Sequence, residues 1–308
     1  METLHQPVLL NQFVQILDPH KGEVYFDGTA GYGGHAGAVL ERLGSDGRMI
    51  LVDRDSHATQ ALNARFDGRA EIIHANYLEA ANRLLTDGTF VNMIALDLGV
   101  SSPQIDNKGR GFSFRADAPL DMRMDQSQLK TAADVVNGTR LLELERIIRD
   151  YGEEPKFRAV ARAILSSRPI ATTAKLAEVV RRAAVRTGDI DPATRTFQAI
   201  RIEVNAELDQ LQSALPVLTK LLVPGGRIAV ISFHSLEDRI VKKFFDYESK
   251  DCICPPKQPV CTCDHVASLQ KITSGAITAD PSEIAINPRA RSAKLRAAEK
   301  INKNKRRD

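Results

Sequence analysis

Three aspartates and one glycine-rich run carry the first chemical information in this chain. Asp27 opens Asp27-Gly-Thr-Ala-Gly-Tyr-Gly-Gly-His35, four glycines in nine residues, directly after the apolar run Glu23-Val-Tyr-Phe. Glycine costs backbone entropy, so so dense a run is expected where the chain needs positive φ or a close backbone approach. Asp53 closes the second apolar run, and Gly31-Tyr-Gly33-Gly34-His35-Ala36 fits G-x-G-x-x-A. This is the spacing of a nucleotide site in which glycines admit the ligand and the second-strand acid holds ribose hydroxyls. Nicotinamide and sulfonium nucleoside enzymes share it. A tight strand-to-helix turn with a packed His35 would use the same residues.

A third acid separates these ligands. In Ala95-Leu-Asp97-Leu-Gly-Val-Ser-Ser102-Pro-Gln104, Asp97 stands at the carboxyl end of another apolar run, where ligands of open α/β sheets bind. Acids at three strand ends suit a cationic ligand that carries a ribose. A dinucleotide would bring its negative pyrophosphate beside Asp27 and Asp97, so a sulfonium nucleoside is the better match.

All four cysteines fall in Cys252-Ile-Cys254-Pro-Pro-Lys-Gln-Pro-Val-Cys261-Thr-Cys263, with His265 close behind. In a reducing compartment clustered thiols read as a metal clip rather than as disulfides, and four thiolates suit tetrahedral zinc. The C-x-C spacing is not the usual C-x2-C, and the prolines equally fit an exposed loop without metal. From Arg289 to Asp308 nine Lys or Arg face only Glu299 and Asp308. Such a basic end attracts nucleic acid electrostatically, or forms a solvated tail.

These groups need elements to hold them. Five short runs rich in Val and Ile read as strands: Glu23–Phe26, Arg48–Val52, Glu71–His74, Val91–Leu96 and Arg227–Phe233. Helix-compatible segments, Ala36–Leu43 and Ser56–Phe66, separate the first three, which indicates βαβ units and a mostly parallel sheet. Pro224-Gly225-Gly226 fits a type II turn introducing the fifth run. After Pro103 the alternation stops for roughly a hundred residues. Phe157, Val160, Ala161, Ile164 and Leu165 repeat at helical spacing, as do Leu176, Val179, Val180 and Ala183. Phe197, Ile200, Val204, Leu208, Leu211 and Leu215 predict one longer helix. A helical subdomain inserted into an α/β domain follows.

At 308 residues the chain can bury a full core, and 43% hydrophobic with 26% charged residues is ordinary for a soluble protein. Its apolar runs fall short of the roughly 18–20 residues of a membrane span. METLHQPVLLNQ has no basic region ahead of a long apolar stretch, so a cytoplasmic protein without membrane association is expected.

Longer motifs narrow the reading further. His5-Gln-Pro-Val-Leu-Leu, DGTAGYGGH, DLGVSSPQ, GFSFRADAPLDMRMD, YGEE at Tyr151, ATRTFQAIRIEVN from Ala193, SFHSLEDRIVK from Ser232 and NPRARSAKLRAAE from Asn287 span nearly the whole chain. In them the sequence resembles the bacterial 16S ribosomal RNA cytosine-N4 methyltransferases, the ribosomal RNA small subunit methyltransferase H family. The resemblance implies a Rossmann-like class I methyltransferase sheet over residues 1–105 and 206–308, with an inserted helical substrate-recognition domain over 106–205. It implies S-adenosylmethionine contacts at Gly33, Gly34, His35, Asp53, Tyr77, Asp97 and Gln104, and 16S ribosomal RNA of the small subunit as substrate. Amino-methyltransferases keep N–H acceptors in the loop after the fourth strand. Asp97 and Ser102 are therefore the catalytic candidates, although Ser102-Pro-Gln104 lacks the second proline and the aromatic of the usual motif. Phosphate contacts are expected among Arg110, Arg115, Arg195, Arg201, Arg239 and Lys242, with Lys303, Lys305, Arg306 and Arg307 in the basic end. His234 is expected beside the site. An NAD-dependent oxidoreductase and a non-catalytic RNA-binding protein are the rival readings.

Overall fold

The computed structural model describes residues 7–184, 191–256, 258 and 260–302. Two compact units divide the chain, Met1–Gly99 with Asp209–Asp308, and Val100–Leu208. In chain order the first unit opens with α1 (Leu10–Leu17), β1 (Val24–Asp27), α2 (Gly34–Leu43), β2 (Arg48–Asp53), α3 (Ser56–Arg65), β3 (Glu71–His74), α4 (Tyr77–Thr86) and β4 (Val91–Asp97). The second unit holds α5 (Ser102–Asp106), α6 (Ala132–Gly138), α7 (Leu141–Asp150), α8 (Phe157–Ser166), α9 (Thr173–Ala183) and α10 (Ala193–Asn205). Then follow α11 (Glu207–Leu221), β5 (Leu222–Ser232), α12 (Ser235–Glu248), β6 (Leu269–Lys271), β7 (Ile277–Thr278), α13 (Pro281–Ile286) and β8 (Lys294–Lys300).

One sheet organises the first unit, in the order β3-β2-β1-β4-β5-β8-β6, with β7 also on β8. The first five strands are parallel, while β8 runs antiparallel to β5. Successive strand residues point to opposite faces, and both faces are covered. Phe26, Ile50 and Ile94 pack with Ala80 and Leu84 of α4 and with Leu211, Leu215 and Leu218 of α11. Their neighbours Tyr25, Leu51 and Ala95 pack with Phe13 of α1, Val39 of α2 and Leu62 of α3. Burial on both faces explains why these strands read as continuous apolar runs.

The fifth strand begins earlier than expected. Pro224-Gly225-Gly226 lies inside β5, where the pairing register to β4 jumps from Val91↔Leu222 to Met93↔Arg227. Gly225 takes φ +83°, the glycine position of the expected turn, so the turn survives as a bulge within the strand. Part of the basic segment belongs to the sheet. Residues 294–300 form β8, which lies between β5 and β6, whereas Lys303, Lys305, Arg306 and Arg307 lie outside the described residues.

The helical unit has its own core, built from Leu144, Ile147 and Ile148 of α7, Val160 and Ile164 of α8, Leu176 and Val180 of α9, and Ile200 of α10. The single long helix expected through Leu215 is in fact two. Ala206 adopts φ +49° and ends α10, a left-handed conformation that costs a non-glycine residue about 1–2 kcal/mol. Arg201 and Glu207 clamp the break with paired bonds of 2.8 and 2.9 Å. Asn205, 1% exposed, accepts from the Met124 amide at 2.8 Å and donates to the Met122 and Arg201 carbonyls at 2.8 and 2.9 Å. Asn205 thus ties an irregular segment to the end of α10. Replacing it with Ala removes these three buried bonds, and the expected loss is about 2–3 kcal/mol of stability. Chemical denaturation of Asn205→Ala against the parent protein measures it.

Candidate active site

Because β1, β2 and β4 are parallel neighbours, their carboxyl ends share one edge of the sheet. From β1 the chain order runs outward through β2 and β3 on one side and through β4 and β5 on the other. Such a reversal opens a crevice at the carboxyl ends, where ligands of α/β sheets bind. Asp27, Asp53 and Asp97 are the last residues of these three strands.

The glycine loop turns from β1 into α2, with Gly31 at φ +54° and Gly33 at φ +77°. A Cβ on Gly33 would meet the Phe66 ring at 2.3 Å, and one on Gly34 would meet Pro7 at 2.6 Å. The smallness of these two residues is therefore demanded by the protein side of the loop. Open space lies instead beside Gly31, whose added Cβ would meet only the Thr29 carbonyl at 3.9 Å. The first bond inside α2 comes from the Gly37 amide to Gly33, so the amides of residues 34–36 belong to the helix N-terminus, which favours electron-rich partners.

Asp53 accepts the Gly31 amide on Oδ2 and the Asp55 amide on Oδ1, both at 2.8 Å. A carboxylate offers about four acceptor sites, which leaves room for two hydroxyls. Burial raises its pKa. Asp27 is 3% exposed; it accepts the Tyr25 hydroxyl at 2.9 Å and the Thr29 amide at 3.2 Å. Burial pushes it up to about 6, against the opposing pull of His35.

Asp97 is the least satisfied of the three. Its amide is 2.6 Å from Thr29 Oγ1, and its Oδ2 stands 3.7 Å from His35 Nδ1. Its Oδ1 has neither solvent nor a hydrogen-bond partner among the described residues. Burial, with the Glu237 carboxylate adding repulsion, pushes its pKa up to about 7. His35 itself is core: Nε2 is 3.0 Å from the Val8 carbonyl, the ring centroid is 4.5 Å from that of Phe13, and burial lowers its pKa. Tyr77 begins α4, capped by Asn76, and is 7% exposed among core residues; its Cβ is 2.7 Å from where one on Gly28 would sit.

Three contributors escaped the sequence reading: Tyr25, Thr29 and Glu237. Tyr25 precedes Asp27 by two and so shares its face of the strand, which period two could have shown. Glu237, 2% exposed, accepts the Phe233 and His234 amides at 2.9 and 3.3 Å and lies 3.2 Å from His234 Nε2. The three-residue step from His234 to Glu237 is a capping box at the start of α12. His234 thus sits at the carboxyl end of β5 as expected, as a helix cap.

Ser102 and Gln104 belong to the second unit, on α5. Gln104 completes a capping box there, accepting the Ser101 amide at 3.0 Å, while Ser102 Oγ is buried and has no partner among the described residues. The expected phosphate ligands divide. Arg110 is buried and donates to the Arg123 and Met124 carbonyls, and Arg201 is spent on Glu207. Arg195 approaches buried Glu154 at 3.9 Å, whereas Arg115, Arg239 and Lys242 are exposed. The four cysteine sulfurs lie together, all within 4.8 Å of one another.

Five parallel strands in this order, an antiparallel strand beyond them, helices on both faces and acids along the crevice make a Rossmann-like α/β domain with a ligand crevice at its strand ends. The chain belongs to the MraW methylase family, whose model matches residues 2–301. It is 50% identical to the ribosomal RNA small subunit methyltransferase H of Syntrophotalea carbinolica, the match covering 96% of this chain and 98% of that one. The protein of the same name from Geobacter sp. strain M21 is 48% identical, with coverage of 98% and 100%. That from Heliobacterium modesticaldum is 45% identical, with coverage of 96% and 98%.

The raised pKa of Asp97 makes stability depend on pH. A carboxyl whose folded pKa exceeds its unfolded value folds best protonated, so its contribution is complete below about pH 4 and is lost as pH rises through about 7. Asp97→Asn removes that loss. Thermal unfolding of the ligand-free protein should show the variant gaining about 1–3 kcal/mol on the parent at pH 8, allowing for solvent at the carboxylate's open edge, and little at pH 5.

Proposed function

We propose that this protein transfers a methyl group from S-adenosylmethionine to the exocyclic N4 amine of a cytidine in 16S ribosomal RNA of the small subunit, working in the cytoplasm. The observation that carries the reading is Asp97 Oδ1, a shielded acceptor without a partner at the carboxyl end of β4 in a chain of a methylase family. A buried acceptor left unpaired costs about 1–3 kcal/mol, which a donor or a cation on a ligand would recover.

The residues present fit the cofactor. Asp53 retains acceptor capacity for ribose hydroxyls, Gly33 is the N-cap from which the Gly34 and His35 amides open α2, and Tyr77 lies beside Gly28. Gln104 is assigned to the same site. Acids at three strand ends favour a positive charge and disfavour a pyrophosphate, which argues against a nicotinamide dinucleotide. S-adenosylmethionine supplies an electrophilic methyl carbon on a sulfonium. The protein's work is with the amine, whose lone pair is conjugated into the base. Holding that nitrogen in line can remove up to roughly 7–11 kcal/mol of barrier. Asp97 and Ser102 are the proposed acceptors of its N–H groups as the nitrogen pyramidalises and gains charge. Ser102 Oγ, buried and unpartnered among the described residues, supports that role. We assign RNA recognition to the helical unit. The target base must leave its stack to be reached, so a single-stranded or flipped nucleotide is the substrate.

Two measurements test this reading. RNA labelled by the protein with the methyl donor, digested to nucleosides, should carry the label as N4-methylcytidine. Label on C5, on a ribose oxygen or on protein would overturn the amine-directed chemistry. In addition, affinity for S-adenosylmethionine should climb by up to about tenfold per pH unit below 7 and level off above it, as Asp97 ionises. S-adenosylhomocysteine, which lacks the sulfonium charge, should show a markedly flatter profile.

A further inference from the structure

We propose that Cys252, Cys254, Cys261 and Cys263 form a closed structural zinc site. Two C-x-C arms lie side by side in the connection between α12 and β6. Cys252 Sγ is 3.5 Å from that of Cys261 and 3.8 Å from that of Cys263, while Cys261 is 3.5 Å from Cys263 and 4.0 Å from Cys254. A disulfide sets its sulfurs about 2.05 Å apart, so these are free thiols held in a cluster. Four sulfurs at the usual zinc–sulfur distance of about 2.3 Å stand roughly 3.8 Å from one another at the corners of a tetrahedron. The observed spacings centre on that edge. A two-iron cluster would hold the thiolates of its opposite irons further apart.

The backbone is arranged for thiolates as well. The middle residue of each arm donates its amide to a sulfur of the other: Ile253 to Cys263 and Thr262 to Cys254, both at 3.4 Å. This reciprocal pair offsets the negative charge that four thiolates around a divalent ion leave. Gln258 shapes the turn between the arms, its amide reaching the Pro255 carbonyl at 2.9 Å and its side chain reaching Thr262 Oγ1 at 2.8 Å. His265 is no fifth ligand; its Nε2 lies 3.2 Å from the Tyr247 carbonyl and its ring packs on that of Tyr247. Four thiolates and no open position make a structural site rather than a catalytic one.

Its place in the fold agrees. α12 leaves the carboxyl end of β5 and runs back along the sheet. The connection closes at the far edge, where the Ser268 amide bonds the Glu248 carbonyl and Leu269 pairs with Lys300. That edge is the amino end of the parallel strands, opposite Asp97. The site fastens residues 249–268 so that β6 adds to β8.

Protein prepared without chelator should contain about one zinc per chain, with four thiols that react only after the metal is displaced. Replacing zinc with cobalt should produce the strong thiolate-to-metal absorption and visible bands of a tetrahedral site. Cys261→Ser together with Cys263→Ser should lose the zinc and lower the thermal midpoint, while affinity for S-adenosylmethionine stays within about twofold. The cobalt titration stands on the parent protein, so it decides the matter even where that variant fails to fold. Metal-free protein with four freely reacting thiols and no cobalt spectrum, a mass short of four hydrogens from two disulfides, or iron in place of zinc would each overturn the proposal.

Discussion

Burying carboxylates at the ends of neighbouring parallel strands is the constraint on which the first unit turns. Asp27 and Asp97 sit where desolvation opposes their charge, and a neighbouring carboxylate adds to it in each case, Asp97 beside Asp27 and Glu237 beside Asp97. The basic group between them and α1, His35, 3.7 Å from Asp97, is itself pushed toward the neutral form by burial. The protein therefore cannot settle these acids by ion pairing. It settles two of them piecemeal, with the Tyr25 hydroxyl and the Thr29 amide on Asp27 and two loop amides on Asp53, and leaves the Asp97 carboxylate with His35 Nδ1 at 3.7 Å. What is left over is concentrated on one oxygen. A fold that retains this unpaid electrostatic cost at a crevice is preorganised for a ligand that removes it.

The same constraint orders the surrounding loop. Asp53 can receive the Gly31 amide only if the chain after β1 turns back sharply, which positive φ at Gly31 and Gly33 allows. That turn in turn places Gly33 against Phe66 and Gly34 against Pro7, contacts that any side chain would break. Electrostatics thus dictates the turn and packing dictates the glycines.

The parallel half of the sheet was legible because its inner strands β1, β2 and β4 are buried on both faces and write short apolar runs. The expected Glu71–His74 strand is β3 to the residue, and the ends of the others moved by one or a few residues. β8 was illegible for the opposite reason. Lys294-Leu-Arg-Ala-Ala-Glu-Lys300 mixes charges with small residues, and only tertiary partners make it a strand: Arg296 and Lys294 meet Asp238 of α12 at 2.6 and 3.4 Å. The break at Ala206 also lay beyond periodicity, since apolar spacing continues across it and the cause, Asn205 bonding to residues 122 and 124, is remote in sequence. The strand-end acids were readable from position alone. That Ser102 is buried and that Glu237 presses on Asp97 were not, because both depend on where the next element packs.

These pairings also redistribute the positive charge of the chain's end. Arg296 and Lys294 are committed to Asp238, whose pKa they hold down against its partial burial. Lys300 donates to the Lys220 and Leu222 carbonyls, where α11 ends, and a cation is favoured at the negative end of the helix dipole. Three of the five basic residues between 289 and 300 thus serve the fold. Arg289 and Arg291, before β8, are exposed. A basic sequence is therefore a poor measure of phosphate-binding capacity once its charges become part of a sheet. Electrostatic attraction for RNA must be sought in the exposed cations that the packing leaves over, since only those can exchange counterions for phosphates without first breaking an internal bond.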